Sequence, residues 1–227
     1  MEREKVVMIL SGGMDSTTLL YKLINENKDV YVLTFNYSQK HAKELICANE
    51  VCRGLGLRDK HKIINIEAIH DLIRNSALTN KNIKIPHGHY NDETMKLTVV
   101  PNRNMIFLSL AIAYAVSLNV NKVYYGAHKG DHTIYPDCRE EFVNKLNEVS
   151  KIANYVPVEV ISPFINMSKT DILKEGLALN TPYYLTWSCY EGRLKACGKC
   201  GSCVERLEAF KNNNVEDVLV YEVENVI

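Results

Sequence analysis

Short apolar runs alternate along the chain with longer stretches in which apolar side chains recur every three to four residues. Lys5–Leu10 (KVVMIL), Asp29–Phe35 (DVYVLTF), Lys62–Ile66, Lys122–Ala127 (KVYYGA) and Val158–Ile161 read as strands, mostly β-branched or aromatic and bounded by polar or glycine-containing turns. Between them, Leu19, Leu20, Leu23 and Ile24 fall at helical spacing behind Ser11-Gly12-Gly13, and Lys40–Leu55, Arg103–Leu118, Cys138–Lys151 and Lys169–Leu179 read as further helices. Such alternation predicts an α/β fold, a mostly parallel five-stranded sheet flanked by helices on both faces. Ligands of such sheets bind beyond the carboxyl ends of the strands, at the point where strand order reverses. Asn75–Lys96 is polar, holds Pro86 and Gly88, and reads as a long loop over something functional. After Pro182 the character changes to Tyr, Trp and Cys, followed by a helix near Val204–Asn212 and an acidic tail. Two parts are therefore expected, residues 1–181 and an appendage of residues 182–227.

Composition narrows the picture. The 227 residues suffice for one main core, and 27 Lys+Arg balance 27 Asp+Glu, which excludes an overall polybasic nucleic-acid binder though not a local basic groove. The longest stretch without charge, Asn104–Asn121, is interrupted by Ser109, Tyr114, Ser117 and Asn119 and reads as a buried helix rather than a bilayer span. Val6–Leu10 is too short for a signal-peptide core. No membrane contact and a cytoplasmic location are expected. Of seven cysteines, Cys47, Cys52 and Cys138 are dispersed, while Cys189, Cys197, Cys200 and Cys203 lie close together. In a reducing compartment such a cluster suits a metal better than disulfides. The spacing Cys189-x₇-Cys197-x₂-Cys200-x₂-Cys203 offers four thiolates, with Gly198 and Gly201 easing the turns, the ligand set of a closed structural zinc site. An iron–sulfur cluster is the main rival and a redox dithiol a weaker one.

The chemistry concentrates first in Ser11-Gly12-Gly13-Met14-Asp15-Ser16-Thr17, between a strand and a helix. Two glycines let the backbone approach an anion, the hydroxyls of Ser11, Ser16 and Thr17 can donate, and the helix start favours negative charge. A bland strand–helix turn would need the same glycines. The string is neither a Walker loop nor a dinucleotide fingerprint.

In full, SGGMDST resembles the SGGxDS signature of the pyrophosphatase-loop (PP-loop) ATP enzymes. The resemblance implies an adenine nucleotide alpha hydrolase-like fold, with ATP cleaved between its α and β phosphates and Asp15 a partner for Mg²⁺ or a bound group. Further segments narrow the family: Phe35-Asn-Tyr37-Ser-Gln39-Lys-His41, Val100-Pro101-Asn102-Arg103-Asn104, and Asp131 with Tyr135-Pro136-Asp137-Cys138-Arg139-Glu140-Glu141-Phe142. With the C-terminal cysteines, they resemble the 7-cyano-7-deazaguanine synthases from Leu10 to Cys203. Membership would imply 7-carboxy-7-deazaguanine and ammonia as substrates, carboxylate adenylation, amide formation and dehydration to the nitrile. It would also imply a role in queuosine or archaeosine biosynthesis, a homodimer and no stable nucleic-acid partner.

By the same resemblance the nucleotide falls to Leu10, Ser11, Gly12, Gly13, Met14, Asp15, Ser16, Thr17, Thr18, Leu19, Leu20 and Lys169. Asp15, Arg103, Asp137 and Arg139 are the candidate catalytic residues; Tyr37, Gln39, His41, Asn102 and Asp131 the candidate substrate contacts. Arg103 and Arg139 suit bidentate binding of phosphate or carboxylate, and equally suit helix capping or a surface pair. Asp137 suits the N1–H and 2-amino edge of a guanine-like ring, and equally an N-cap. Lys169 suits phosphate or plain solvation. His128 and His132 flank Asp131 as a possible proton relay. A PP-loop enzyme acting on tRNA or on a protein amine is the alternative, as is a nucleotide-binding scaffold without turnover.

Overall fold

The computed structural model describes residues 2–89 and 92–222. Its strands are β1 (Lys5–Ile9), β2 (Asp29–Asn36), β3 (His61–Asn65), β4 (Lys122–Tyr124) and β5 (Glu159–Ile161), joined in one sheet of order β3-β2-β1-β4-β5. All four pairings are parallel. The chain winds outward from β1 through β2 to β3, then returns to lay β4 against the other side of β1. That reversal opens a crevice at the carboxyl ends of β1 and β4.

Residue alternation along β1 assigns the two faces. Val7 packs with Leu33, Phe35 and Val123 beneath Phe107, Leu108, Ala111 and Ala115 of α4 (Arg103–Ser117) and Val143 and Leu146 of α5 (Glu140–Ile152). Val6 and Met8 face the other way, against Leu19, Leu20 and Leu23 of α1 (Met14–Asn25), Ala48 and Val51 of α2 (Lys43–Gly54) and Ile172 of α6 (Lys169–Ala178). Each leucine so buried contributes about 1.5–3 kcal/mol relative to exposure. The run Lys96–Ser117 is long and apolar enough to cross a bilayer by composition. Here its α4 portion covers the sheet instead.

Several boundaries differ from the sequence reading, each for a local reason. The fourth strand stops at Tyr124: Tyr125 makes one further bond to Ile161 O (3.1 Å), after which the chain leaves the sheet toward the crevice. The second helix begins at Lys43, not Lys40: residues 40–42 form a turn, with Lys40 N–H bonded to Leu78 O (2.9 Å). The helix read from Cys138 begins instead at Glu140, behind a 3-10 turn at Pro136–Cys138. The last helix, α7 (Gly201–Asn212), starts three residues earlier than Val204, so that Cys203 is helical and Cys200 is its N-cap.

The loop Asn75–Lys96 is a packed plug. Ala77, Leu78, Ile85 and Met95 enter the core, α3 (Asp92–Met95) is a single turn, and His87 bridges to Cys200. Tyr90 and Asn91, within this loop, and residues 223–227, the end of the acidic tail, lie outside the described residues. Cys189, Ala196, Cys197, Cys200 and Cys203 belong to the same apolar cluster as Val7 and Leu33, and Leu173 of α6 packs with Ala209 and Phe210 of α7.

Candidate active site

A cavity of about 190 Å³ occupies the crevice between β1 and β4. At one end lie Ser11, Gly13, Met14, Asp15 and Ser16, with Lys169 and Asp131. Gly12 adopts φ +87°, and a Cβ there would stand 2.1 Å from the carbonyl oxygen of Glu44, so the loop needs glycine both for its backbone and for its neighbour. Gly13 N–H donates to Ser11 Oγ (3.1 Å), Ser11 N–H donates to Ser16 Oγ (3.1 Å), and the two hydroxyls are 2.9 Å apart. No side chain caps α1. Its first-turn N–H groups are thus left to the cavity, the arrangement that receives phosphate.

Charge at this end is paired. Lys169 Nζ lies 2.9 Å from Glu205 Oε2 and 3.5 Å from Asp15 Oδ2. Burial alone would lower the lysine's pKa, but Asp15, Glu205 and Asp131 outweigh it and hold the ammonium charged. His128 Nε2 lies 3.7 Å from Asp15 and 3.5 Å from Asp131. Asp15 Oδ1 and Thr17 Oγ1 are buried polar atoms with no bonded partner among the described residues. Of the two, Asp15 lines the cavity while Thr17 is fully buried behind it, and an orphaned carboxylate oxygen beside an open helix start fits a nucleotide phosphate and its cation.

The other end is aromatic. Phe35 and Phe107 stack at 4.3 Å, Tyr37 tilts against Phe107 at 5.4 Å, and His41 lies 5.6 Å from Tyr190. Tyr125 and Trp187 complete the lining. Trp187 is fixed by its N–H to Gly12 O (2.9 Å), its indole to Cys189 O (2.9 Å), and Lys43 Nζ at 3.7 Å from its ring centre. Burial pushes the Glu44 carboxyl up to about 7, against the Gln39 amide and Arg103. It also pushes His41 down to about 3, with Arg103 adding to the effect, so this imidazole is neutral. Arg103 is desolvated, which opposes its charge, yet Tyr37, Asp137, Cys138 and Tyr135 around it keep it protonated.

The four clustered cysteines are all buried, with sulfurs within 4.8 Å of one another. Cys197 Sγ and Cys203 Sγ are 3.9 Å apart, close to the ~3.8 Å edge of a tetrahedron with 2.3 Å metal–sulfur bonds. The donor set therefore fits a single metal ion. Gly198 takes φ +70° in the first Cys-x-x-Cys turn, whereas Gly201 is simply the first residue of α7. The segment carries Trp187, Ser188 and Tyr190 into the cavity, and Ser202 lines it from α7. Arg206 ties it down: the fully buried guanidinium pairs with Asp217 (Nε–Oδ2 2.7 Å, Nη2–Oδ1 2.9 Å) and donates to Thr186 Oγ1 (2.7 Å).

Of the residues singled out from sequence, Leu10, Ser11, Gly13, Met14, Asp15, Ser16, Tyr37, His41, Arg103, Asp131 and Lys169 line this one cavity. Thr18 bonds to Met14 O and Tyr183, and Leu19 and Leu20 face the core. Gln39 is a buried brace that receives Tyr37 N–H (2.9 Å) and donates to Phe35 O (3.1 Å) and Glu44 (2.9 Å). Asp137 sits behind the lining, where its Oδ2 accepts Asn104 N–H (2.9 Å) at the start of α4. Asn102 is exposed in the left-handed N-cap position of that helix, and exposed Arg139 donates to His132 O. Glu44, Tyr125, Trp187, Ser188 and Tyr190 had not been singled out. Glu44 carried a signal: it is an acid on the apolar stripe Glu44-Ala48-Val51 of α2.

A parallel sheet with an anion-binding glycine turn after β1 and a paired-charge pocket at the switch point defines a PP-loop enzyme, which uses ATP. More narrowly, the chain belongs to the family described as queuosine biosynthesis protein QueC, whose model matches residues 5–214. It is 59% identical over 219 residues to the 7-cyano-7-deazaguanine synthase of Pseudoalteromonas atlantica, covering 96% of this chain and 99% of that protein. It is 60% identical over 218 residues to that of Hahella chejuensis, covering 96% and 93%. Among solved structures, NMN synthetase from Francisella tularensis is similar at TM-score 0.53 and 13% identity, over 94% of this chain and 79% of that one. The U34-tRNA thiolase NcsA from Methanococcus maripaludis, with its 4Fe-4S cluster, is similar at TM-score 0.50 and 18% identity, over 94% and 66%. At such identities the likeness is one of fold.

Proposed function

We propose that this chain is a 7-cyano-7-deazaguanine synthase, converting 7-carboxy-7-deazaguanine and ammonia to the nitrile with ATP, for queuosine-type tRNA modification. The observation that carries this is the family match along residues 5–214 together with 59% identity over 219 residues to a relative covered to 99% of its length. The chemistry is coherent with the cavity. A carboxylate lacks a leaving group; ATP supplies one to the acid oxygen, which departs as AMP when ammonia attacks, and then to the amide oxygen, which departs as AMP while the amide nitrogen gives up its protons to become the nitrile.

On this reading the first-turn N–H groups of α1, Ser11 and Lys169 hold the phosphates, and Asp15 holds Mg²⁺. Arg103 pairs with the substrate's carboxylate and later steadies charge at the same carbon. Tyr37, Trp187 and Tyr190 sandwich planar rings and keep water from the activated acid. His128, between Asp15 and Asp131, accepts the proton that ammonia sheds. Asp137 acts through Asn104, holding the start of α4 and thereby Arg103; Asn102 and Arg139 contribute at the rim.

We assign zinc to the four thiolates, since a compact set of sulfurs suits one tetrahedral ion, whereas a cubane cluster puts each thiolate on a different iron and farther apart. The metal so enclosed is structural. The reading also carries a homodimer, for which exposed Val149, Ile152, Tyr155 and Val156 around the end of α5 offer an apolar surface, and a cytoplasmic, reducing setting for the seven unpaired cysteines.

The test is incubation of the purified protein with Mg²⁺-ATP, ammonium and 7-carboxy-7-deazaguanine, products read by mass spectrometry, with Asp15→Ala as control. Acid-dependent release of pyrophosphate together with the nitrile is expected. No acid-dependent nucleotide turnover would reject the synthase reading.

A further inference from the structure

Three carboxylates line the cavity among the described residues: Asp15, Asp131 and Glu44. The first two face Lys169 and His128 at the phosphate end. Glu44 stands apart. Its side chain is only 12% exposed, its Oε1 accepts the Gln39 amide at 2.9 Å, and its nearest ring, His41 Nε2 at 3.5 Å, is uncharged. Gln39 is itself locked by Tyr37 N–H and Phe35 O, so the carboxylate is oriented from behind by a fixed brace.

Burying a carboxylate in aromatic surroundings is costly unless hydrogen-bond donors arrive to satisfy it. The proposed substrate brings two. A 7-deazaguanine ring presents N1–H and a 2-amino N–H side by side, matching two carboxylate oxygens, whereas adenine sets a ring-nitrogen acceptor beside its amino donor and would meet the carboxylate with repulsion. A carboxylate at this end therefore sorts the deazaguanine acid from the adenine of ATP. Asp137, which the sequence suggested for this edge, already has one oxygen on Asn104 N–H and lies behind the cavity lining.

We propose that Glu44 is the specificity residue of the site, accepting the N1–H and 2-amino donors of the deazapurine acid, with Gln39 as its positioning residue. The proposal rests on the synthase reading above. It gives the buried acid on the apolar stripe of α2 a purpose that packing does not supply.

The test uses the full chain and two acids, 7-carboxy-7-deazaguanine and its analogue lacking the 2-amino group, measured by steady-state kinetics and by equilibrium binding. Sites built to bond a substrate N–H reject the analogue without it by large factors. Wild type should prefer the amino-bearing acid by roughly 100-fold or more in kcat/KM. In Glu44→Gln, KM for that acid should rise about 100-fold, the preference should collapse to within about tenfold, and KM for Mg²⁺-ATP should stay within about threefold. If the Gln variant does not fold, Glu44→Asp serves, with binding of the amino-bearing acid weakened about tenfold by the withdrawn oxygens. A folded Gln variant that keeps the wild-type preference, or an Asp variant that binds like wild type, overturns the assignment of Glu44 while leaving the synthase reading intact. Wild type that neither binds nor converts the acid overturns both.

Discussion

At the phosphate end of the cavity Asp15, Asp131, Lys169 and Glu205 each lie within 3.7 Å of an opposite charge or an imidazole. At the aromatic end, Glu44 is backed by an amide and a neutral imidazole and faces Arg103, itself set among Tyr37, Asp137 and Tyr135. The first end pairs its charges among themselves and leaves Asp15 Oδ1 open beside the helix start, a cradle into which a highly charged ligand can come and go. The second holds its polar groups desolvated and waiting, so that its ligand must complete the bonding. The contrast teaches where affinity and where selectivity reside: paired charge accepts any triphosphate, whereas a desolvated carboxylate held by a single amide brace penalises every ring without matching donors.

The largest expected effect tests whether the two ends are independent. The aromatic wall of Trp187, Ser188 and Tyr190 hangs on the cysteine segment, while the phosphate loop is built on β1 and α1. Stripping the metal with a chelator, or Cys200→Ser, should cost at least about 5 kcal/mol, on the order of 10 °C or more in melting temperature. Binding of the acid should vanish and that of nucleotide should weaken less. Equal loss of both, measured by calorimetry, would show that α7, which carries Glu205 to Lys169, makes the ends one unit.

Gly12 is where the ends touch. Gly12→Ala brings a Cβ onto Glu44 O at 2.1 Å and forces φ +87° on an alanine, so α2 must move away from the loop. A cost of about 4 kcal/mol is expected, and both the nucleotide and the acid should lose affinity, in contrast to the metal-stripped protein. Lys169→Ala should confine its damage to the phosphate end. It leaves Asp15 and Glu205 without their common cation, a loss of about 3 kcal/mol for a largely buried pair, and should raise KM for Mg²⁺-ATP more than tenfold with KM for the acid little changed.

The same division governs what could be read from the chain beforehand. The phosphate end is contiguous: seven residues, Ser11 to Thr17, carry glycine, hydroxyl and acid in the order of the SGGxDS signature, and the strand before and helix after them show by periodicity. The sheet was legible for the same reason. The aromatic end is assembled from Phe35–Glu44, Arg103–Phe107, Tyr125 and Trp187–Tyr190, brought together by strand order and by the turn that gathers the four cysteines. No local pattern distinguishes Trp187 or Tyr190 there from core aromatics. Asp137 reads either as a base-edge acceptor or as the N-cap of the helix that follows it; that it reaches across to the start of α4 instead depends on a contact 33 residues away in sequence.

The smallest expected effect is a stability slope, and it separates the two ends without any ligand. In the unfolded chain near pH 5.5 Glu44 is ionised and His41 protonated, since their ordinary values are 4.5 and 6.5. In the folded chain, with values of about 7 and about 3, the carboxyl is neutral and so is the ring. Folding thus moves a proton from His41 to Glu44. The raised carboxyl makes stability fall as pH climbs from 4.5 toward 7, and the depressed imidazole makes it rise from 3 toward 6.5, so between 4.5 and 6.5 the two slopes oppose and cancel. Glu44→Gln removes one of them. Its stability relative to wild type should be flat below pH 4.5 and grow by about 2 kcal/mol by pH 6, leaving the imidazole's upward slope exposed. Urea melts across pH 4.5 to 7.5 read this directly, with Arg103, the charged group that faces both residues, unchanged over the range. Parallel curves for the two proteins would mean that Glu44 is already ionised and satisfied in the empty cavity, and the aromatic end would then be pre-balanced like the phosphate end.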